Sequence, residues 1–479
     1  MAIDKKTTGT APRRRTIWLR DDRHSTLLAA SMWVLIVLMI VPEGFDYQSL
    51  TTSGAPTSGG AISRLLWLGL LSLSAVVVCW RAGLAWLLAR ALNPFLLLFV
   101  ALALVSVTWS IDPALSLRRM FRMSTIVPAC AAFVLIGWHE RRFQNVLRPI
   151  LTVMLIGSLA FGLAAPSLAI HQETSSELLG AWRGLADHKN SLGDLACLGM
   201  VFWLHAWLAG EARAAPALVG AGIAGACLFL SRSSTSLAAA VFVMVFMLMA
   251  LRPPAALRPY LPVLVILLVV TLSIYSLAVL DLVPGLHSLL TPIALLTGKS
   301  ATLTGRTEIW SILSDHISSH PLLGTGYGAY WTARPIPGAD SYAFIWRMAS
   351  FYPASAHNGY IEVLNDLGCV GLACLFAYLG TQVRQSLLLL SIDRSQAILY
   401  LALFFQQALA NLSESHWFSV RSVDFVVMTL ATMALARGLL QVRLHLVFDA
   451  APSGSAPQRL GARLPLRPAA FVRPARGGR

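Results

Sequence analysis

The sequence has 479 residues, of which 56% are hydrophobic and only 12% are charged. This balance is too apolar for a soluble globular protein and is typical of a chain that crosses a membrane several times. The formal net charge of +15 raises the alternative of nucleic-acid binding, but the basic residues fall where membrane topology accounts for them, so we exclude nucleic acid as a partner.

The N-terminal stretch, residues 1–25, is basic and precedes the first apolar segment. Because no cleavage site of small residues follows that segment, we interpret it as an uncleaved membrane span rather than a signal peptide. Apolar runs of similar length recur along the chain and predict twelve membrane helices. The predicted spans are 26–42, 64–80, 92–109, 121–138, 145–164, 190–209, 214–230, 234–251, 258–281, 357–380, 395–412 and 421–440.

Two further segments, a long loop and a C-terminal tail, complete the predicted organisation, an all-α polytopic membrane protein. Nine spans lie within residues 26–281, and three within 357–440. A large loop of roughly 75 residues, 282–356, separates the two groups, and connections of this length are normally functional. The C-terminal tail, 441–479, is rich in Pro, Gly, Ala and Arg, and we predict that it is disordered and rests on anionic lipid.

The orientation follows from the Lys and Arg residues. If the N-terminus is cytoplasmic, about two thirds of the 37 basic residues fall in cytoplasmic segments, as membrane topology requires. An even number of spans then leaves both ends inside the cell. The long loop is predicted to face outward.

Polar residues gather at the predicted outer ends of spans rather than at their midpoints, which argues against a transporter. The clusters are Asp187–Asn190, Ser231–Thr235, the stretch from His357 to Asp366, and Glu414, His416, Arg421 and Asp424, with Arg118, Arg119 and Arg122 flanking the fourth span. Two interpretations of the outer arginines remain open. They could extend to lipid phosphates individually, or together bind a polyanion such as a lipid pyrophosphate.

Within the long loop, an amphipathic helix is predicted to begin at Arg306 and to end before Pro321. His316 and His320 are four residues apart and could form a metal pair. Because the loop offers no obvious third ligand, we predict neither a metal site nor a cofactor. The glycine-rich run 324–328 lacks the spacing of a nucleotide-binding loop and is expected to form a tight turn.

The stretch "SAHNGYIEVLNDLGCVG" joins polar residues to an apolar helix. A helix beginning near His357 would place Asn358, Glu362 and Asn365 on one face. A neutral imidazole there could accept the proton of a hydroxyl group, with Glu362 or Asp366 as support. A single histidine at a membrane edge is more often structural, so this interpretation depends on the arginines at the same face.

These motifs resemble those of a known group of enzymes. "GRTEIW", "HPLLGTGYG" and "SAHNGYIEVLNDLGCVG" resemble the Wzy/WaaL superfamily of bacterial surface-polysaccharide enzymes, which contains O-antigen ligases and exopolysaccharide polymerases. "GAWRGLADHKNSLG" and "TWSIDPALSLRR" are similar to the ExoQ-type polymerases in particular. "LSRSSTSL" resembles the Ser-Arg motif of the superfamily, although Ser-Ser follows its arginine where Gly or Thr is expected. The resemblance covers about residues 94–440.

The resemblance implies a twelve-helix fold with a large periplasmic loop between predicted helices 9 and 10. It also implies a metal-independent glycosyl transfer from an undecaprenyl-pyrophosphate-linked oligosaccharide to a hydroxyl of an acceptor glycan or of lipid A core. The residues that match the essential ones of the superfamily are His357, Arg306 and Arg232. We further expect substrate contacts from a set drawn from four parts of the chain: His188, Lys189, Asn190, Asn358, Glu362 and Arg118.

The predicted function is therefore that of an exopolysaccharide polymerase in the bacterial inner membrane, with its active site facing the periplasm. The "WRGLADHKN" resemblance favours a polymerase over the alternative, an O-antigen ligase. A lipid-linked sugar flippase is a more distant alternative. The expected partners are inner-membrane lipids, and a flippase and chain-length or export proteins could also cooperate with the enzyme.

Overall fold

The structure is a computed structural model that describes residues 22–42, 47, 60–138, 143–172, 178–279, 306–332 and 353–449. Its described residues form α-helices, short 3₁₀ segments and one isolated bridge between Ile170 and Trp182, and they contain no strand. The prediction of an all-α polytopic membrane protein is confirmed. The predicted N-terminal tail up to residue 21, the tail beyond 449 and much of the long loop lie outside the described residues.

Fourteen helices of ten or more residues are described. The first six are α1 (Asp22–Ile40), α2 (Ala61–Trp80), α3 (Ala82–Ala91), α4 (Pro94–Val105), α5 (Pro113–Ile136) and α6 (Gln144–Ala164). The remaining eight are α7 (Lys189–Leu208), α8 (Ala214–Leu230), α9 (Ser234–Leu251), α10 (Leu261–Val279), α11 (Arg306–Ser319), α12 (Gly359–Leu389), α13 (Arg394–Ala410) and α14 (Val423–Asp449).

Each of the twelve predicted spans coincides with at least one of these helices. Among the described residues, eight helices are long and apolar enough to cross a membrane: α2, α5, α6, α7, α9, α10 with its 3₁₀ lead-in, α12 and α14. A ninth crossing results if α3 and α4 form one bent span, and α1 and α8 are apolar but shorter. The total of twelve crossings therefore stays a prediction.

The bend between α3 and α4 has a local cause in the sequence. The two helices meet at 101°, and Pro94 at the start of α4 disfavours a helical conformation at Asn93. The Asn93 side chain accepts a hydrogen bond from the Phe95 amide and donates one to the Tyr378 carbonyl at 2.9 Å. Residues 92–109, predicted as one span, thus form a twelve-residue helix that ends in a 3₁₀ turn, Ser106–Trp109.

The helices are not equally buried. In α14, 78% of the most apolar stretch is buried inside the protein, whereas in α10 only 11% is. Helix α14 therefore lies at the centre of the bundle and α10 at its edge, where its apolar side chains suit contact with lipid. The buried core continues through α5 and α13, which pack against α14, and through α7, which packs against α13.

A break in α12 joins the long loop to the bundle. Gly368 has φ +61° and ψ −164°, which interrupts the helix. The segment after α11 pairs with this break: the amides of Cys369 and Gly326 donate to the carbonyls of Pro321 and Asp366 at 2.8 and 2.9 Å. A Cβ atom at Gly368 would lie 2.3 Å from the Leu322 carbonyl. Helix α11, which begins at Arg306, is thereby anchored to the membrane helices.

Candidate active site around Glu414

The predicted site residues lie at one end of the bundle, where α7, α12 and α14 begin and α8 and α13 end. A turn, residues 411–422, connects α13 to α14 at this end. The side chain of Glu414 projects from this turn between α7, α11 and the start of α12. Four separate parts of the chain therefore meet at one carboxylate.

Glu414 contacts three of the predicted site residues. Its Oε1 accepts a hydrogen bond from Asn190 Nδ2 at 2.5 Å and lies 3.3 Å from Arg306 Nη2. Its Oε2 lies 3.3 Å from His357 Nδ1. Burial favours the neutral acid, but His357, Arg306 and His188 outweigh that effect and hold the pKa of Glu414 well below its usual value. Glu414 is therefore an ionised carboxylate that two basic groups share.

The turn that carries Glu414 is fixed by hydrogen bonds of Asn411, through both its side chain and its carbonyl group. Asn411 Oδ1 accepts from the amides of His416 and Trp417 at 2.9 and 2.7 Å. The Asn411 carbonyl accepts from the Gly359 amide at 2.9 Å. A Cβ atom at Gly359 would lie 1.9 Å from Asn411 Oδ1. The turn and the start of α12 therefore pack too closely for any side chain at position 359.

His357 and Asn358 precede α12 rather than forming its first turn. His357 has φ +48°, a left-handed conformation that is costly for a residue with a side chain and is often found at functional sites. Asn358 is the N-cap: its Oδ1 accepts from the Tyr360 and Ile361 amides, and its Nδ2 donates to the Leu412 carbonyl. Asn358 is fully buried and caps the helix rather than lying in its first turn. Its predicted contact with substrate stays a prediction.

The "DHKN" residues lie beside Glu414 at the start of α7. His188 caps this helix by accepting from the Asn190 amide at 3.3 Å, and its ring lies 5.2 Å from that of His171. Burial lowers the pKa of His188 to about 4, with His171 and His357 acting in the same direction, so this imidazole is neutral at pH 7. The backbone amide of Lys189 donates to His171 Nε2 at 3.2 Å.

Arg232 lies further out. It follows α8, has φ +52°, and its exposed side chain donates from Nη1 to the Leu179 carbonyl at 3.0 Å. Leu179 belongs to the segment 178–184, which also contacts His171, because the Gly180 amide donates to the His171 carbonyl. Arg232 is thus linked to the site through the 178–184 segment, and neither a hydrogen bond nor an ion pair joins it to Arg306 or His357.

Arg118 and Glu362 form contacts within the protein, and their expected contacts with substrate stay predictions. Arg118 is exposed, and its Nε donates to the Ala114 carbonyl of its own helix at 3.3 Å. Its neighbour Arg119 points inward and donates to the Trp331 carbonyl. Glu362 Oε2 accepts from the Ala356 amide at 2.7 Å and from Ser415 Oγ at 3.2 Å.

The acidic residue that contacts His357 is Glu414, because its Oε2 lies 3.3 Å from His357 Nδ1. The sequence alone suggests Glu362 or Asp366 for this place. Asp366 holds the glycine-rich turn, because its Oδ2 accepts from the Gly328 amide at 2.7 Å. In the sequence, Glu414 lies in a polar cluster, and its pattern predicts no role for it. Nothing in the pattern shows that it contacts Asn190, which is 224 residues away in the chain.

Two groups of side chains could be considered for a metal ion. The ring centroids of His316 and His320 are 5.5 Å apart, and His316 Nε2 lies 3.3 Å from Thr325 Oγ1. In the described part of the chain, three ligand atoms within 4.8 Å of one another occur at Asp194, His416 and Asp424, all buried. In this second group, the two carboxylates lie near the two nitrogens of the His416 imidazole. A protonated histidine between two carboxylates accounts for this arrangement as well as a metal ion does.

Two comparisons with known proteins bear on this site. A family model described as O-antigen ligase matches residues 219–376, which include Arg232, Arg306 and His357. The exopolysaccharide production protein ExoQ of Rhizobium meliloti (strain 1021) is 29% identical over 294 residues, which cover 59% of this chain and 62% of ExoQ. The predicted resemblance to the Wzy/WaaL superfamily is confirmed. The chain is similar to ExoQ and spans less than two thirds of that relative's length.

Proposed function

We propose that this protein is an exopolysaccharide polymerase. It transfers an undecaprenyl-pyrophosphate-linked glycan to a sugar hydroxyl at the periplasmic face of the inner membrane. The observation that carries the proposal is the convergence of Arg306, His357 and Asn190 on the ionised Glu414. The similarity to ExoQ, whose name assigns it to exopolysaccharide production, favours a polymerase.

In the proposed reaction, Arg306 binds the pyrophosphate of the donor, and Arg232 contributes from the rim of the site. A guanidinium forms paired hydrogen bonds with phosphate oxygens, and its charge stabilises the leaving group as the bond from the sugar to the phosphate breaks. The acceptor oxygen forms the new bond to the same carbon from the opposite side, so the configuration inverts. Because these arginines supply the positive charge, the proposed transfer needs no metal ion.

His357 is the proposed base. Its Nδ1 faces the Glu414 carboxylate, which selects the tautomer in which Nδ1 carries the proton. Nε2 is then the basic nitrogen, and it accepts the proton of the acceptor hydroxyl as the new glycosidic bond forms. Glu414 stabilises the imidazolium that results, in the manner of the acid that accompanies histidine in hydrolase triads.

The test is complementation of a chromosomal deletion with wild-type protein, His357→Ala or a control variant. General-base catalysis typically contributes about 10²–10⁴-fold to a rate, so His357→Ala is expected to abolish polymer while the protein accumulates normally. His320→Ala is the control, because His320 lies on the exposed part of the long loop. Polymer of normal length and yield with His357→Ala would refute the assignment.

The same deletion strain distinguishes a polymerase from the second candidate function, an O-antigen ligase. The description of the matching family favours this second candidate. Loss of a polymerase leaves single repeat units on the lipid carrier. Loss of a ligase leaves long chains on the carrier that never reach lipid A. Accumulation of long carrier-linked chains would replace the polymerase proposal with the ligase.

A further inference from the structure

Behind the candidate active site lies a second cluster of charged side chains, which the proposed reaction does not use. His416 follows Glu414 by two residues in the same turn. Its Nε2 lies 3.1 Å from Asp194 Oδ2, and its Nδ1 lies 3.2 Å from Asp424 Oδ2 and 2.6 Å from Ser422 Oγ. Asp194 and Asp424 are each only 3% exposed. The imidazole therefore has a buried carboxylate at each of its two nitrogens.

Both carboxylates are themselves held by neighbouring side chains. Asp194 Oδ1 accepts from Ser236 Oγ at 2.8 Å. Asp424 accepts from Ser422 Oγ at 3.0 Å and from the side-chain amide of Gln407. Because Asp194 belongs to α7 and Asp424 to α14, the cluster connects those two helices to the turn that carries Glu414.

The geometry fits a protonated imidazole. An imidazolium donates from both nitrogens, whereas a neutral imidazole donates from one and would present a lone pair to the other carboxylate. A buried carboxylate that faces a lone pair is strongly disfavoured, because its charge has lost water without gaining a donor. The Ser422 hydroxyl, 2.6 Å from Nδ1, donates its own proton to Asp424 Oδ2, so it accepts from Nδ1 rather than donating to it. With Asp194 at Nε2, this arrangement favours a proton on each nitrogen.

We propose that His416, held between Asp194 and Asp424, is a positioning residue that sets the orientation of the Glu414 carboxylate in the active site. The turn between α13 and α14 has no regular structure of its own. It is held by the Asn411 side chain at the amides of residues 416 and 417 and by the His416 side chain. Release of the imidazole would let Glu414 move relative to Arg306 and His357, while His416 itself does not touch the substrate.

The charges around His416 give this role a pH dependence. Burial alone would lower the pKa of His416, but Asp424 and Asp194, with a contribution from Glu414, outweigh it and raise the pKa to about 9. A pKa raised above the unfolded value, about 6.5, stabilises the fold fully below pH 6.5. This stabilisation is lost as the pH rises through about 9, because the deprotonated imidazole no longer pairs with both carboxylates.

The first experiment measures the protonation of His416 directly. The full-length protein is labelled with ¹⁵N-histidine in lipid nanodiscs, and the His416 signals are assigned by their loss in His416→Gln. We expect both nitrogens of His416 to be protonated at pH 7.5, with a titration midpoint near 9. Asp194→Asn and Asp424→Asn should each lower the midpoint by at least one unit. A neutral His416 at pH 7.5 in the wild-type protein would overturn the proposal.

The second experiment uses polymerisation as its readout and so rests on the proposed function. His416→Gln is expected to lower kcat at pH 7.5 by at least tenfold and to remove the fall in wild-type activity near pH 9. The matched control is His205→Gln. His205 is a fully buried histidine near the far end of α7 that contacts Ser395, and its replacement should leave the pH profile unchanged.

The outcomes of the two experiments are distinguishable. A His416→Gln protein with the wild-type rate and pH profile would overturn the positioning role. One equivalent of Zn²⁺ or Mn²⁺ that co-purifies with the wild-type protein and is lost in Asp194→Asn would show that a metal, and not a proton, bridges the cluster. If the wild-type protein lacked polymerase activity, the proposed function would fail, while the titration would still decide the state of His416.

Discussion

At the scale of single residues, Glu414 determines how the other candidate side chains are arranged. It is buried and ionised between an arginine and a histidine, and Asn190 donates to the same oxygen that faces Arg306. In the proposed reaction, a carboxylate in this position would orient the imidazole and keep the guanidinium within the site until the donor pyrophosphate binds. The two roles depend on charge as well as on shape.

Replacement of Glu414 by Gln keeps the shape and removes the charge. The imidazole loses its anionic partner, and the imidazolium formed in the reaction is no longer stabilised, so we expect kcat to fall by about 10²-fold or more. The measurement is the rate of polymer formation by purified protein with a lipid-linked donor.

The matched control is Glu308→Gln, because Glu308 is exposed on α11, the helix that begins with Arg306. It should retain the wild-type rate. Equal rates for Glu414→Gln and the control would mean that Glu414 only holds the turn in place.

Part of this site could be predicted from the sequence. His357, Arg306 and Asn190 lie in motifs that resemble those of the superfamily, and the structure brings them together. Glu414 could not be assigned, because its contacts join turns that are distant in the chain and no local spacing reveals them. The sequence pattern does not show that Asn358 caps α12 rather than lying in its first turn, because a cap and a helical residue differ only in backbone conformation.

At the scale of elements, hydropathy located the helices but not their interruptions. The span predicted at 214–230 coincides with α8, whereas α5 begins at Pro113, eight residues before the predicted start at 121. The Asp112 side chain caps α5 by accepting from the Leu115 amide, and its early turns are too polar to register as membrane span. The break in α12 depends on pairing with the segment after α11, which no local pattern encodes.

Gly368 gives a test of that pairing. Its backbone conformation is almost restricted to glycine, and a side chain would collide with the Leu322 carbonyl. Gly368→Ala should therefore destabilise the fold by about 1–3 kcal/mol and reduce activity by displacing α11 with Arg306. The thermal unfolding midpoint in detergent measures the first effect.

Gly380→Ala is the matched control for Gly368→Ala. Gly380 lies in the same helix, and no atom lies within 4 Å of a Cβ placed there. Its replacement should preserve the midpoint or raise it slightly, since alanine favours the helix. Unfolding of both variants at the wild-type temperature would show that the break in α12 contributes no stability.

At the scale of the whole molecule, the bundle has two chemically different ends. The candidate site occupies the end where α7, α12 and α14 begin. The opposite end contains an ion pair between Arg148 and Glu211, with the Arg148 guanidinium over the Trp203 ring. From the distribution of Lys and Arg we predict that the site faces the periplasm and that the Arg148 end faces the cytoplasm.

This orientation predicts the outcome of cysteine labelling. The native free cysteines are replaced, and single cysteines are introduced as Asp315→Cys near the site and Arg213→Cys at the opposite end, both exposed positions. A maleimide that does not cross the inner membrane should label the first in intact cells and the second only after the membrane is permeabilised. The reverse pattern would place the active site in the cytoplasm.

The hydrogen bonds between residues 321–326 and the interrupted stretch of α12 affect how hybrid enzymes can be built. Because residues 321–326 of the long loop form backbone hydrogen bonds with a membrane helix, the loop cannot be exchanged by itself. A chimaera that takes the loop from one homologue and the helices from another would separate complementary surfaces. Transplanting acceptor preference would require moving residues 306–332 and 357–370 together as one unit.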